Sequence, residues 1–227
     1  VRFARSGGEA NAIAIRIARA ASGRDKVAIC GYHGWHDWYL STNLNNKKGL
    51  DGHLLPGLEP KGVPRNLKGT VFPFNYNRFD ELEALVKKHD IGVIKMEVQR
   101  SSEPENNFLK KVRQLATKRE IVLIFDECSS GFRETYGGIF KKYGVNPDIA
   151  MYGKSLGNGF PITALVGKKK IMEASKKTFI SSTFWTENTG TAAAIKTLKI
   201  MKKIKSWKII KNKGIKIKEE FVRLSLK

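Results

Sequence analysis

Residues Ile121-Val122-Leu123-Ile124-Phe125 form an unbroken apolar run that ends in Asp126-Glu127, and no other feature of the chain restricts its fold as much. Consecutive apolar side chains on an extended segment point to both faces of a sheet, so both faces must be covered. Strands of this kind belong to parallel sheets with helices on each side, and they deliver their last residues to the carboxyl edge, where ligands bind. Lys26–Cys30, Ile91–Met96, Ile149–Tyr152 and Leu165-Val166 read as further strands, and Ala12–Ala21, Phe79–His89 and Phe108–Arg119 as helices. This alternation predicts an α/β domain with a mainly parallel sheet and helices on both faces. Asn43 to Thr70, rich in Gly, Pro and Asn, reads as a long loop.

The chain has 227 residues, 41% of them hydrophobic, enough to bury a full core. Its formal charge of +21 raises nucleic acid or an anionic membrane as a partner. Between Lys196 and Lys227, however, twelve Lys or Arg and two acids alternate with Ile195, Leu198, Met201 and Ile204 at helical spacing, the pattern of an amphipathic helix with a solvated charged face. No helix-turn-helix, zinc-finger or aromatic RNA-binding motif accompanies the charge, and no apolar stretch approaches the roughly 20 residues of a membrane span. Neither nucleic acid nor membrane is the expected partner. Two distant cysteines, Cys30 and Cys128, fit a reduced, cytoplasmic protein better than a disulfide framework. A start at Val1 and an end inside a helical pattern suggest a piece of a longer protein.

Four features should meet at the sheet's carboxyl edge. Ser6-Gly7-Gly8 opens a helix, where free N–H groups and the helix dipole favour a phosphate, although such a turn taken alone is more often a plain N-cap. The loop Gly31-Tyr32-His33-Gly34-Trp35-His36 is aromatic and histidine-rich. Asp126 ends the buried strand and could bind a metal, act as a base, pair with a ring nitrogen or cap a turn. Lys154 follows another strand inside Tyr152-Gly153-Lys154-Ser155-Leu156-Gly157, among small residues that lysines usually avoid. The Gly-Lys-Ser triplet is no P-loop, because Asp148 stands where that motif needs glycine. A pocketed lysine is instead the nucleophile that forms Schiff bases. Cys30, His33, His36 and Cys128 match no standard zinc spacing, so no metal is expected.

In order and spacing these segments resemble the class III aminotransferases, which depend on pyridoxal phosphate (PLP), and within them the glutamate-1-semialdehyde aminomutase-like branch. The resemblance rests on Ser6–Asn11, Tyr32-His33-Gly34, Asp126–Arg133, Gly153–Pro161 and Ser182-Thr183-Phe184. It implies a fold-type I PLP-dependent transferase, with residues 1–201 as a cofactor-binding large domain truncated at its N-terminus and 202–227 as the helical start of a small C-terminal domain. It implies catalytic roles for Lys154, carrying PLP as a Schiff base, and for Asp126 against the pyridine nitrogen. Gly7 and Gly8 would hold the phosphate, Tyr32 would stack on the ring, and Ser129 would lie near the phenolic oxygen. Thr183 would reach the phosphate of a neighbouring subunit, which implies a homodimer. His33, Glu97 and Arg133 are candidate substrate contacts. The implied reaction is transfer of an amino group between an amino donor and a carbonyl acceptor; an intramolecular aminomutase is the alternative, suggested by Gly131-Phe132-Arg133 and Gly137-Gly138, with decarboxylation or racemisation behind it. A basic nucleic-acid-binding module is the remote competitor. Gly8 for the usual Ser or Thr, Ser129 for Gln, Val98 for Pro and Trp185-Thr186-Glu187 for Gly-Gly-Asn depart from the family pattern.

Overall fold

A computed structural model describes residues 1–226 of the chain. Its strands are β1 (Arg2–Ala4), β2 (Lys26–Cys30), β3 (Val71–Pro73), β4 (Ile91–Glu97), β5 (Val122–Glu127), β6 (Ile149–Tyr152) and β7 (Thr163–Gly167). They form one sheet in the order β1-β7-β6-β5-β4-β2-β3. β3, β2, β4, β5 and β6 run parallel, whereas β7 lies antiparallel to β6 and β1 antiparallel to β7. The mainly parallel sheet expected from sequence is present, with an antiparallel edge.

The helices are α1 (Gly7–Ser22), α2 (Asp37–Leu40), α3 (Thr42–Asn45), α4 (Phe79–Lys88), α5 (Phe108–Lys118), α6 (Phe140–Tyr143), α7 (Lys169–Met172), α8 (Thr189–Ile204) and α9 (Ser206–Ser225). α1 covers one face of the sheet. Its Ala10, Ala14, Ile17 and Ala18 recur at helical spacing and pack on Val27, Ile29, Val93, Ile124, Ile149 and Met151. On the other face Leu82 of α4 and Leu109, Val112 and Ala116 of α5 meet Ala28, Ile94, Met96, Leu123 and Phe125. The alternate residues of β5 thus enter two cores, as its unbroken apolar run requires.

Three local features differ from the sequence reading. β1 pairs with β7 where no element was expected, because three residues are too few to show a period and their partner is far along the chain. The span from Asn43 to Thr70 is not structureless: α3 and a 3-10 turn at Arg65–Leu67 interrupt it, and Leu50, His53 and Val63 are buried beneath it. The basic tail divides into two helices at Lys205, whose φ is +52°; α8 buries Ala194 and Met201, while no residue of α9 is buried. Among the described residues no helix is long and apolar enough to cross a membrane.

Asp148 ties the far end of the sheet together. Its carboxylate accepts from the backbone N–H of Leu123 at 2.8 Å and from Arg113 at 2.9 Å, and Lys168 lies 2.7 Å away. Burial alone would raise its pKa; the Leu123 hydrogen bond, Lys168 and Arg113 outweigh that and lower it. Asp148→Ala is expected to cost about 3 kcal/mol in urea unfolding at pH 7, because it leaves a buried donor and a half-buried guanidinium unpaired. The wild-type contribution is present above the unfolded carboxyl pKa of about 3.9 and is lost as pH falls through the lowered folded value. Asp148→Asn should remove that part of the acid sensitivity.

Candidate active site

The carboxyl ends of β2, β4, β5 and β6 share one edge of the sheet, since the four are parallel and in register from Cys30↔Met96 through Glu97↔Asp126 to Glu127↔Tyr152. The loop after β2, the acids ending β4 and β5, and the turn after β6 therefore converge. Between them lies an open cavity of about 570 Å³ whose lining includes Tyr32, Glu97, Ser129, Arg133 and Lys154. Larger cavities lie beside α1, in the loop around Lys47 and Lys61, and at the opposite end of the sheet around Arg113 and Asp148; none of these gathers an acid from the carboxyl end of a strand with a reactive amine.

Lys154 is exposed, and its Nζ donates to Ser129 Oγ at 2.7 Å. Its φ is +36°, a left-handed conformation that costs a non-glycine residue on the order of 1–3 kcal/mol and is retained mostly at functional sites. Gly153 precedes it where a Cβ would lie 3.1 Å from Thr163 and 3.4 Å from Cys128, so the turn carrying the lysine is pressed against β5 and β7.

Asp126 is buried at the last-but-one position of β5. Its Oδ1 accepts from Cys128 N at 3.1 Å, His33 Nδ1 lies 3.0 Å from Oδ2, and Lys95 Nζ lies 3.6 Å from the same oxygen. Burial would raise the carboxyl pKa, but Lys95 and then His33 hold it well below the usual carboxylate range. Asp126 is therefore an anion. For His33, burial above all, with Lys95 adding to it, lowers the pKa to about 4 despite Asp126. The neutral ring has one N–H for two acceptors, Asp126 and Cys30 O at 3.2 Å; the charged acceptor makes the stronger bond. His33 does not line the cavity: it is fully buried, bracing the acid.

At the start of α1, Ser6 takes the N–H groups of Glu9, through Oγ at 3.3 Å, and of Ala10, through its carbonyl at 3.0 Å. Gly7 and Gly8 are left as the open donors of the first turn. Glu9 turns away from them, accepting from Arg5 N at 2.9 Å and Ser182 Oγ at 3.2 Å, a variant of the capping box. A Cβ at Gly8 would lie 3.2 Å from His36, and one at Gly34, whose φ is +93°, would lie 3.0 Å from Gly8 Cα. Glycine at position 8 in place of a hydroxyl residue thus follows from the close seating of the β2 loop, which His36 Nδ1 reinforces with a 2.8 Å contact to Gly8 O.

Glu97 is mostly buried, with its pKa raised by burial, and accepts from Tyr32 N at 3.0 Å while Arg100 approaches to 3.8 Å. It fixes the Tyr32 loop. Arg133 Nε donates to Ser155 Oγ at 3.3 Å, linking its loop to the Lys154 turn. Thr183 is exposed and does not line the cavity. Two residues escaped the sequence reading. Glu127 holds the loop after β5 through Ser130 Oγ and Phe140 N. Lys95 is fully buried under α1; its signal was a lysine interrupting the apolar run Ile91–Met96.

The Aminotransferase class-III family model matches residues 1–227. The 3-aminobutyryl-CoA aminotransferase of Cloacimonas acidaminovorans is 38% identical, over 95% of this chain and 50% of that protein. A glutamate-1-semialdehyde 2,1-aminomutase of Methanobrevibacter smithii is 36% identical, over 88% of this chain and 48% of its own length. The PLP internal aldimine form of the FumI protein of Sphingopyxis sp. MTA144 superposes with a TM-score of 0.73 at 26% identity, over 88% of this chain and 47% of that one. The chain spans about half the length of the curated relatives it matches. With a fold-type I sheet, an acid and a lysine at its carboxyl edge, and a family match along its whole length, the chain belongs to the class III aminotransferases.

Proposed function

We propose that this chain supplies the PLP site of an aminotransferase that moves an amino group from an amino donor to a carbonyl acceptor. The observation that carries the reading is the exposed amine of Lys154 beside a cavity of about 570 Å³, with the anionic Asp126 on the adjoining strand. The residues suit the group. The amides of Gly7 and Gly8 at the start of α1 favour a phosphate, and the half-exposed Tyr32 ring offers a flat apolar contact to a flat heterocycle. Asp126 supplies a buried negative charge for a protonated ring nitrogen.

When bound, PLP supplies an aldehyde that condenses with amines and a ring that withdraws electrons from the substrate carbon. Lys154 Nζ holds the cofactor at rest and, once released, takes the proton from the substrate carbon and returns it. Ser129 Oγ orients that amine. Lys95, His33 and Cys128 N keep Asp126 in place and ionised. Glu97 and Arg133, on the cavity wall, are the side chains we assign to substrate orientation, and Thr183 we assign to the phosphate of a second copy in a homodimer. We assign residues 1–201 to the cofactor-holding large domain and 202–227 to the start of a small one, supported by burial on α8 that stops before α9. The two free cysteines suit the cytoplasm.

The relatives include an aminotransferase and an aminomutase, and one assay separates them. With PLP and amino donors supplied to the full-length protein, product formation is expected to require an added keto or aldehyde acceptor. Turnover of a single amino-aldehyde with no acceptor would sink intermolecular transfer in favour of the aminomutase.

A further inference from the structure

The charged side chains on the wall of the cavity are Glu97, Arg100, Arg133, Glu134 and Lys154, three cations against two acids. Both acids already have partners: Glu97 Oε2 accepts from Tyr32 N at 3.0 Å, and Glu134 lies 3.7 Å from Lys142. The guanidiniums keep donors to spare. Arg133 commits Nε alone, to Ser155 Oγ at 3.3 Å. Arg100 commits Nη1 alone, which donates to His53 O at 2.7 Å and lies 3.8 Å from Glu97 Oε2. Its Nε and Nη2 have no partner among the described residues, and its side chain is 50% exposed. Those two nitrogens form one edge of the planar fork, an edge that matches a carboxylate or phosphate bidentately.

Resting on the aminotransferase reading above, we propose that Arg100 is a specificity-determining residue that binds an anionic oxygen group, carboxylate or phosphate, on the substrate. Holding His53 O takes one donor, which a lysine would supply; the guanidinium adds a second edge turned away from the first. The first contact also prepares the second. His53 is buried, and its Nδ1 accepts from Gly31 N at 3.1 Å, so the carbonyl that anchors Arg100 is itself fixed to the end of β2. With Nη1 anchored, less side-chain freedom is lost when the open edge meets an anion. Glu97 does not compete for that edge, because it approaches the guanidinium at Nη1. Arg133 leans on the turn that carries Lys154, whereas Arg100 leans on the long loop. The two arginines therefore hold separate banks of the cavity, and Arg100 reads the part of the substrate that faces the loop.

The test uses the full-length protein loaded with PLP and follows bleaching of the visible cofactor band when an amine is added. The probes are unbranched ω-amino acids of graded chain length with their neutral amides, and aminoalkyl phosphates with the matching amino alcohols. At the best-accepted length wild type should react with the anionic probe about 10- to 100-fold more efficiently than with its neutral counterpart, the range for a hydrogen bond to a charged group. Arg100→Gln should erase that preference, mainly by raising the concentration of anionic probe needed for half-maximal rate, while the neutral probe reacts as in wild type. Arg100→Lys, which keeps the charge and loses the fork, should fall between. A purely structural role would slow both probes together, and that result overturns the proposal. So does wild type with no anionic preference at any length, or a preference that survives Arg100→Gln, whether or not Arg133→Gln removes it. The two series show which anion is read. If PLP is retained and no amine, charged or neutral, bleaches the band, the aminotransferase reading fails and this inference with it.

Discussion

Lys154→Ala is expected to abolish measurable amino transfer while leaving the fold intact. The side chain makes one hydrogen bond, to Ser129, and is exposed, so stability should change by about 0.5 kcal/mol or less. Chemistry should fall at least ~100-fold from loss of the proton carrier alone, and further because covalent attachment goes with it. The backbone sharpens the contrast. At φ +36° alanine inherits the strain and glycine does not, so Lys154→Gly should unfold at a slightly higher denaturant concentration than Lys154→Ala while being equally inactive. Equal activity of Lys154→Ala and wild type, measured with saturating PLP, would remove the lysine from the mechanism.

Asp126→Ala should produce the largest loss of stability in the molecule. It strips Lys95 of its only carboxylate partner among the described residues and leaves His33 and Cys128 N without their acceptor. Breaking a buried pair from one side costs about 3–5 kcal/mol, because the remaining charge stays buried. The double variant Asp126→Ala with Lys95→Met should recover much of that loss, since it removes the stranded charge together with its partner. Asp126→Asn keeps an acceptor for Cys128 N and should fall between. All three should lose amino transfer, because none presents a carboxylate to the ring nitrogen. Denaturant unfolding of the four proteins closes the cycle; additive single losses would show that Lys95 and Asp126 do not interact.

Much of this was legible in the residues themselves. The run Ile121–Phe125 required a strand covered on both sides, and the structure places it between α1 and α5. Asp126 and Lys154 were legible because a charged residue directly after an apolar strand has few places to go but the sheet's edge. The direction of β7 was not legible, because alternation specifies which side chains face inward and not which way a neighbour runs. His33 read as a pocket residue because its sequence neighbours are aromatic and glycine; its burial beside Asp126 depends on β5, 93 residues away in the chain. Lys95 was legible only as an anomaly. In a two-sided strand a lysine conflicts with the apolar run, and only the register with β5 shows which acid resolves that conflict.

The central claim is that Lys154 carries the cofactor, and the most direct measurement is the visible absorption spectrum of the PLP-loaded protein before and after borohydride, followed by peptide mass analysis. The account predicts a visible band in wild type that borohydride bleaches, a stable pyridoxyl mass on the peptide holding Lys154, and neither in Lys154→Ala. A band that persists in Lys154→Ala, or a pyridoxyl mass on another lysine, would contradict it.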